Sequence, residues 1–213
     1  MRINVGCGQA PINGWRNFDN SLSVRLSKIP FIPDLLFTLK ILREPQYRFI
    51  QIAQSNEIEY GDITRGLPIS DGVVEVLYSS HMLEHLNIKN ALFFLKEAKR
   101  IIRPGGILRI AVPDLKKQVQ KYTADNDANA FLDKTLLAQP HLDSFFQRLI
   151  FLFVGPRHHQ WMYDGDSLCR LLKENGFIDV SIVPAGETKI SNPGPLDLTE
   201  RELESIYVEA KNS

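Results

Sequence analysis

Arg2-Ile3-Asn4-Val5-Gly6-Cys7-Gly8-Gln9-Ala10 reads as a short strand running into a glycine turn. Ile3 and Val5 alternate with polar residues at the period of a strand. The two glycines that follow, one residue apart, permit a tight turn and let a ligand approach the main chain without a Cβ in the way. A strand entering such a turn is how nucleotide-type cofactors are held at the carboxyl edge of a parallel sheet. The pair alone is also what a plain turn would show, so its meaning depends on the rest of the chain.

Downstream, strand-like and helix-like segments alternate. Trp15–Asp19 reads as a second short strand ending on an acid, Glu57–Ile63 as a third, and Val73–Tyr78, dense in β-branched residues, as a buried one. Ser79-Ser80 is expected to cap a turn into His81-Met82-Leu83-Glu84-His85. Asn90–Arg103 follows as an amphipathic helix stopped by Pro104-Gly105-Gly106. Ile107–Val112 is another buried strand, Leu115–Tyr122 a helix, Asp166–Asn175 a helix with Gly176 just past its end, and Phe177–Val183 and Ile206–Ala210 the last strands. This alternation predicts an α/β fold with a largely parallel sheet in one domain spanning 1–213. Two segments interrupt it, at about 20–54 and 128–157, and both are expected to be helical insertions; the first holds Leu35, Leu36, Leu39 and Leu42 at helical spacing.

Composition narrows the class. The chain has 213 residues, 44% hydrophobic and 23% charged, with a formal net charge of zero, as in an ordinary soluble domain with room for a real core. The balance gives no electrostatic footprint for nucleic acid, and no such partner is expected. Cys7 and Cys169 form no disulfide framework, which suits a reducing cytoplasm. No secretory signal or membrane span is expected, since the apolar runs 29–42 and 145–154 are short and interrupted by polar residues.

Asn4-Val5-Gly6-Cys7-Gly8, Gly61-Asp62-Ile63, the Leu77–Leu86 stretch and Arg103-Pro104-Gly105-Gly106 resemble, in that order, motifs of the class I S-adenosylmethionine-dependent methyltransferases. The nearest group is methyltransferase type 11. The resemblance is best over residues 2–113 and resumes at His159–Asp164, Gly176-Phe177 and Ser205–Ala210. It implies a Rossmann-like, doubly wound seven-stranded sheet whose last strand is antiparallel, with S-adenosyl-L-methionine as cofactor. Gly6, Cys7 and Gly8 would approach the cofactor's amino-acid moiety, Asp19 would accept from both ribose hydroxyls, Asp62 would receive the adenine amino group, and Ile63 would pack on the ring. Ser80 and His81, with Ser79, would line the methionine end. Two departures stand out. Asn4 occupies a place where the family usually has an acid, and only ten residues separate Gly8 from Asp19, so the first helix must be very short or replaced by loop.

His81 and His159 are the candidate catalytic groups, as general bases toward an acceptor oxygen or nitrogen. His81 and His85, with Glu84 beside them, have a spacing that can bind metal on a helix; no carboxylate or thiol cluster at a matching spacing completes the set, although His158 and His159 could arrive from elsewhere, and no metal is expected. His158 and His159 lie in a polar, aromatic loop that reads either as a cap packing Trp161 on the sheet or as a substrate contact. A small molecule or saccharide is the expected substrate. A non-catalytic cofactor-binding or scaffold protein on the same fold is the rival. The insertions are expected to form a lid, with a homodimer surface or a membrane-surface contact as alternatives.

Overall fold

The computed structural model describes residues 1–137, 158–196, 198, 199 and 201–213. Seven strands form one sheet: β1 (Arg2–Val5), β2 (Arg16–Asp19), β3 (Glu59–Tyr60), β4 (Val74–Ser80), β5 (Ile102–Pro113), β6 (Phe177–Val183) and β7 (Ser205–Asn212). Their order is β3-β2-β1-β4-β5-β7-β6. β7 runs antiparallel to both of its neighbours, while the pairs from β3 to β5 are parallel. The α/β class follows from the strand–helix alternation, and the doubly wound seven-stranded sheet with an antiparallel last strand is the one that the family resemblance implies.

The two faces of the sheet are built differently. Cross-strand partners share a face, and one row runs Ile3, Leu77, Leu108, Ala210. On it packs α4 (Ile88–Ile101), whose Ala91, Phe94, Leu95, Ala98 and Ile101 form a buried stripe at helical spacing. Asn87 caps this helix by accepting from the Asn90 amide at 2.9 Å. Beside it, α7 (Gly165–Glu174) contributes Leu168 and Leu172 to the same core.

The next row, on the opposite face, is Asn17, Asn4, Tyr78, Arg109, Glu209. No helix covers it among the described residues. Ile12 and Trp15 from the β1–β2 connection and Ile190 and Leu196 from the β6–β7 connection pack there. Arg109 and Glu209 are fully buried and paired at 2.6 Å. Glu209 also accepts the Lys189 amide at 2.7 Å and the Thr188 hydroxyl, and Arg109 donates to the Glu187 carbonyl at 3.0 Å. An irregular segment brings backbone polar groups that must find partners, and this ion pair supplies several.

Several elements differ from their sequence expectation. Segment 20–54 holds three helices rather than one or two: α1 (Leu22–Leu26), α2 (Ile32–Thr38) and α3 (Glu44–Ser55). Pro33 and Pro45 sit in the first turns of α2 and α3, where a missing N–H does no harm. Leu35 and Leu39, at helical spacing, are exposed. β3 is only two residues long, because it is an edge strand paired to β2 alone. α4 ends at Ile101, and Pro104-Gly105-Gly106 lies inside β5, in a bulge opposite Glu75. After β5 come α5 (Leu115–Asp125) and α6 (Ala128–Thr135). The rest of the second insertion, including the apolar run 145–154, lies outside the described residues. Among the described residues no helix is long and apolar enough to cross a membrane.

Candidate functional site

A cleft of about 790 Å³ opens at the carboxyl ends of β1, β2 and β4, where the strand order reverses between β1 and β4. This is the position at which doubly wound sheets bind ligands. Gly6, Gly8, Asp19, Asp62, Ile63, His81, Met82, His85 and Gln160 are among the residues that line it.

The glycine turn is explained by two constraints. Gly6 has φ +65°, and a Cβ there would stand 2.5 Å from Met82 Cγ; both demand glycine. No helix follows, so the turn returns directly to β2: the Cys7 amide donates to the Phe18 carbonyl at 3.1 Å and the Gly8 amide to Asp19 Oδ2 at 3.1 Å. Asn4, buried at the base of the loop, donates to the Ala10 carbonyl and to Asn17 Oδ1. Asn17 in turn bonds Ile12 and Trp15 main-chain groups. An amide serves here where a carboxylate would not, because the partners at this place are acceptors.

Asp19 Oδ1 accepts the Ser21 amide at 2.8 Å. Each oxygen therefore holds one backbone donor and keeps a lone pair for another. Asp62 accepts from the Thr64 amide and hydroxyl through Oδ1, while Oδ2 lies 3.4 Å from Arg65 Nε. Ile63 is buried beside it. Cys7 turns away from the cleft into a small cluster with Val24, Ala53 and Ile58, and burial pushes its thiol far up. Ser80, the last residue of β4, is half-buried and does not line the cleft.

The expected helical spacing of His81 and His85 does not occur. Ser79 and Ser80 end the strand rather than capping a turn, His81 is left-handed at φ +50°, and a single 3-10 turn spans Leu83–His85. His81 lines the cleft with both ring nitrogens engaged: Arg201 Nη1 donates to Nδ1 at 2.9 Å, and Nε2 meets Ser205 Oγ at 2.8 Å. His159 is buried and sits behind the cleft wall, its ring edge-on to His85 at 4.9 Å between centroids. Burial holds its pKa below the usual histidine value, against the pull of the Glu84 carboxylate. Tyr163, also buried there, is pushed up to about 12 by burial and by the Glu84 charge.

The 158–163 segment lies against the turn at 84–85. The Gln160 and Trp161 amides both donate to the Glu84 carbonyl, and Gln160 Nε2 donates to the His85 carbonyl at 2.6 Å. Trp161 is 47% exposed, so it does not pack on the sheet. Of the 20–54 insertion only Asn20 lines the cleft. Lys89, Asn90 and Phe93, which do line it, were not singled out from the sequence. Their one signal was Phe93, an aromatic on the outward side of an otherwise orderly amphipathic helix.

A family model described as "Methyltransferase domain" matches residues 42–110. No curated protein sequence matches the chain. Among solved structures, a methyltransferase from Thermotoga maritima is 14% identical with a TM-score of 0.51, covering 100% of this chain and 82% of that one. One from Archaeoglobus fulgidus is 13% identical with a TM-score of 0.51 over 99% and 85%. The DhpI–SAH complex is 10% identical with a TM-score of 0.51 over 100% and 76%. At these identities the likeness speaks to fold. Taken with the domain model on the central strands, it identifies the fold as that of the class I S-adenosylmethionine-dependent methyltransferases.

Proposed function

We propose that the cleft holds S-adenosyl-L-methionine with its adenine against Asp62 and Ile63, its ribose hydroxyls on Asp19, and its amino-acid moiety over the Gly6–Gly8 turn. The methyl then faces His81 and Met82. The observation that carries this reading is that Asp19 and Asp62 share one cleft with the glycine turn, each with acceptor capacity left. Cys7 contributes shape to the turn rather than a side-chain contact, and Ser80 supports His81 from the strand end.

The reaction is an in-line displacement in which an acceptor oxygen or nitrogen attacks the sulfonium methyl. The sulfonium is already a good leaving group, so alignment and exclusion of water do most of the work. With both nitrogens of His81 engaged by Arg201 and Ser205, that imidazole shapes the transfer end. Lys89, Asn90 and Phe93 offer donors, an amide and an apolar ring at the acceptor end, a mixture that suits a small polyhydroxylated molecule or saccharide. A cytoplasmic location fits the two free cysteines, Cys7 and Cys169.

Calorimetric titration with S-adenosylhomocysteine tests the assignment. The wild type should bind it, and Asp19→Ala should weaken binding by about 1.5–3 kcal/mol, the scale of hydrogen bonds to a charged group. Unchanged affinity in folded Asp19→Ala would remove Asp19 from the site.

A further inference from the structure

Glu84 is fully buried, and among the described residues neither carboxylate oxygen has a hydrogen-bond partner. Leaving an ionised carboxylate in that condition costs several kcal/mol, so something must compensate it. His81 Nδ1 is 3.3 Å away but already accepts from Arg201, and a nitrogen lone pair does nothing for a carboxylate. Among the described residues the groups near it are the buried Tyr163, whose hydroxyl also lacks a partner, and His85 and His159, whose ring nitrogens lie with a Glu84 oxygen in a set no wider than 4.8 Å. His159 Nε2 is 3.9 Å from Glu84 Oε1. His85 Nδ1 faces the His158 carbonyl at 3.3 Å, a contact that protonates Nδ1 and leaves Nε2 with its lone pair.

We propose that Glu84, His85 and His159 bind a divalent transition-metal ion of the zinc type. One carboxylate and two imidazoles are the donor set of open, three-ligand zinc sites, in which the fourth position takes water or substrate. Glu84 and His159 are buried, and His85 forms part of the cleft wall, so the open position faces the cleft. Ligand atoms around a tetrahedral ion at bonds near 2.1 Å stand about 3.4 Å apart, so the set, no wider than 4.8 Å, must tighten on binding. The sequence reading expected no metal because no second cluster stood at a matching spacing. The missing ligand comes instead from a loop 75 residues beyond Glu84, hydrogen-bonded through Gln160 and Trp161 to the turn that carries it.

The test uses the untagged full chain, stripped with chelator and titrated with Co²⁺ and then Zn²⁺, with no cofactor or acceptor present. We expect one Co²⁺ per chain with a visible absorption band, displacement of that band by Zn²⁺, and a raised melting temperature. His85→Ala alters a half-buried residue and should stay folded by circular dichroism while losing at least about tenfold in metal affinity; Glu84→Gln should do the same. A wild type without a one-to-one Co²⁺ band, or a folded His85→Ala that binds as tightly as wild type, overturns the proposal. Because the readout needs no methyl transfer, its failure leaves the cofactor assignment to stand or fall on its own titration.

Discussion

The two faces of the sheet solve the same burial problem with different chemistry. On one, Ile3, Leu77 and Leu108 lie under the apolar stripes of α4 and α7. On the other, Asn4, Tyr78, Arg109 and Glu209 lie under loops. A helix satisfies its own backbone and asks the sheet only for apolar contact, whereas a loop arrives with N–H and C=O groups still to be bonded. The loop-covered face therefore carries a buried ion pair that the helix-covered face does not need. The groups that the ion pair satisfies, at Glu187, Thr188 and Lys189, belong to the β6–β7 connection, which covers this part of the face.

The sharpest way to break the contrast is to remove one member of the pair. Glu209→Leu strands the Arg109 charge and frees the Lys189 amide, and it should destabilise the protein by about 3–5 kcal/mol in chemical denaturation. Adding Arg109→Met should recover part of that loss but not all, because the loop backbone still lacks its partner. Full recovery would mean that the loop is held by its apolar residues alone, and the contrast between the faces would collapse.

On the helical face the matching test is Leu172→Ala, a fully buried residue of α7. It should cost about 2–5 kcal/mol, with no second substitution available to offset it by restoring charge balance. A loss well below 2 kcal/mol would show that this face packs loosely enough to collapse around the gap.

The smallest effect concerns the polar contacts that the helical face does have, at its rim. Glu97 of α4 accepts from Arg100 and from the Leu67 amide, and these hydrogen bonds, Arg100's foremost, hold its pKa below the usual glutamate value. A depressed folded pKa contributes stability above the unfolded value of about 4.3 and loses it as pH falls through the folded one. Glu97→Gln should thus cost about 1–3 kcal/mol at neutral pH. The gap to wild type should narrow as melts are taken to lower pH, starting near pH 4; a gap independent of pH would assign the effect to packing.

Much of the architecture was legible because local rules and tertiary packing agree in it. The strand–helix alternation, the stripe of α4, the Gly176 stop after α7 and the glycine turn each follow from periodicity or from backbone sterics, which need only a few neighbouring residues. The expectation that the β1–β2 connection has no proper helix came from counting ten residues between Gly8 and Asp19, and the structure bears it out. Where expectation missed, a distant contact had decided the matter. Cys7 turns inward because Val24, Ala53 and Ile58 arrive from the insertion.

The sequence by itself determined the class of fold and the place of the glycine turn, because strand ends and turns are local. Only the tertiary structure decided that His81 is held by Arg201 and Ser205 and that His159 joins Glu84 and His85 behind the cleft wall. Those residues are separated by roughly 75 to 125 positions along the chain, and no local rule couples side chains across such a distance. The packing of two loops against the end of β4 does so instead.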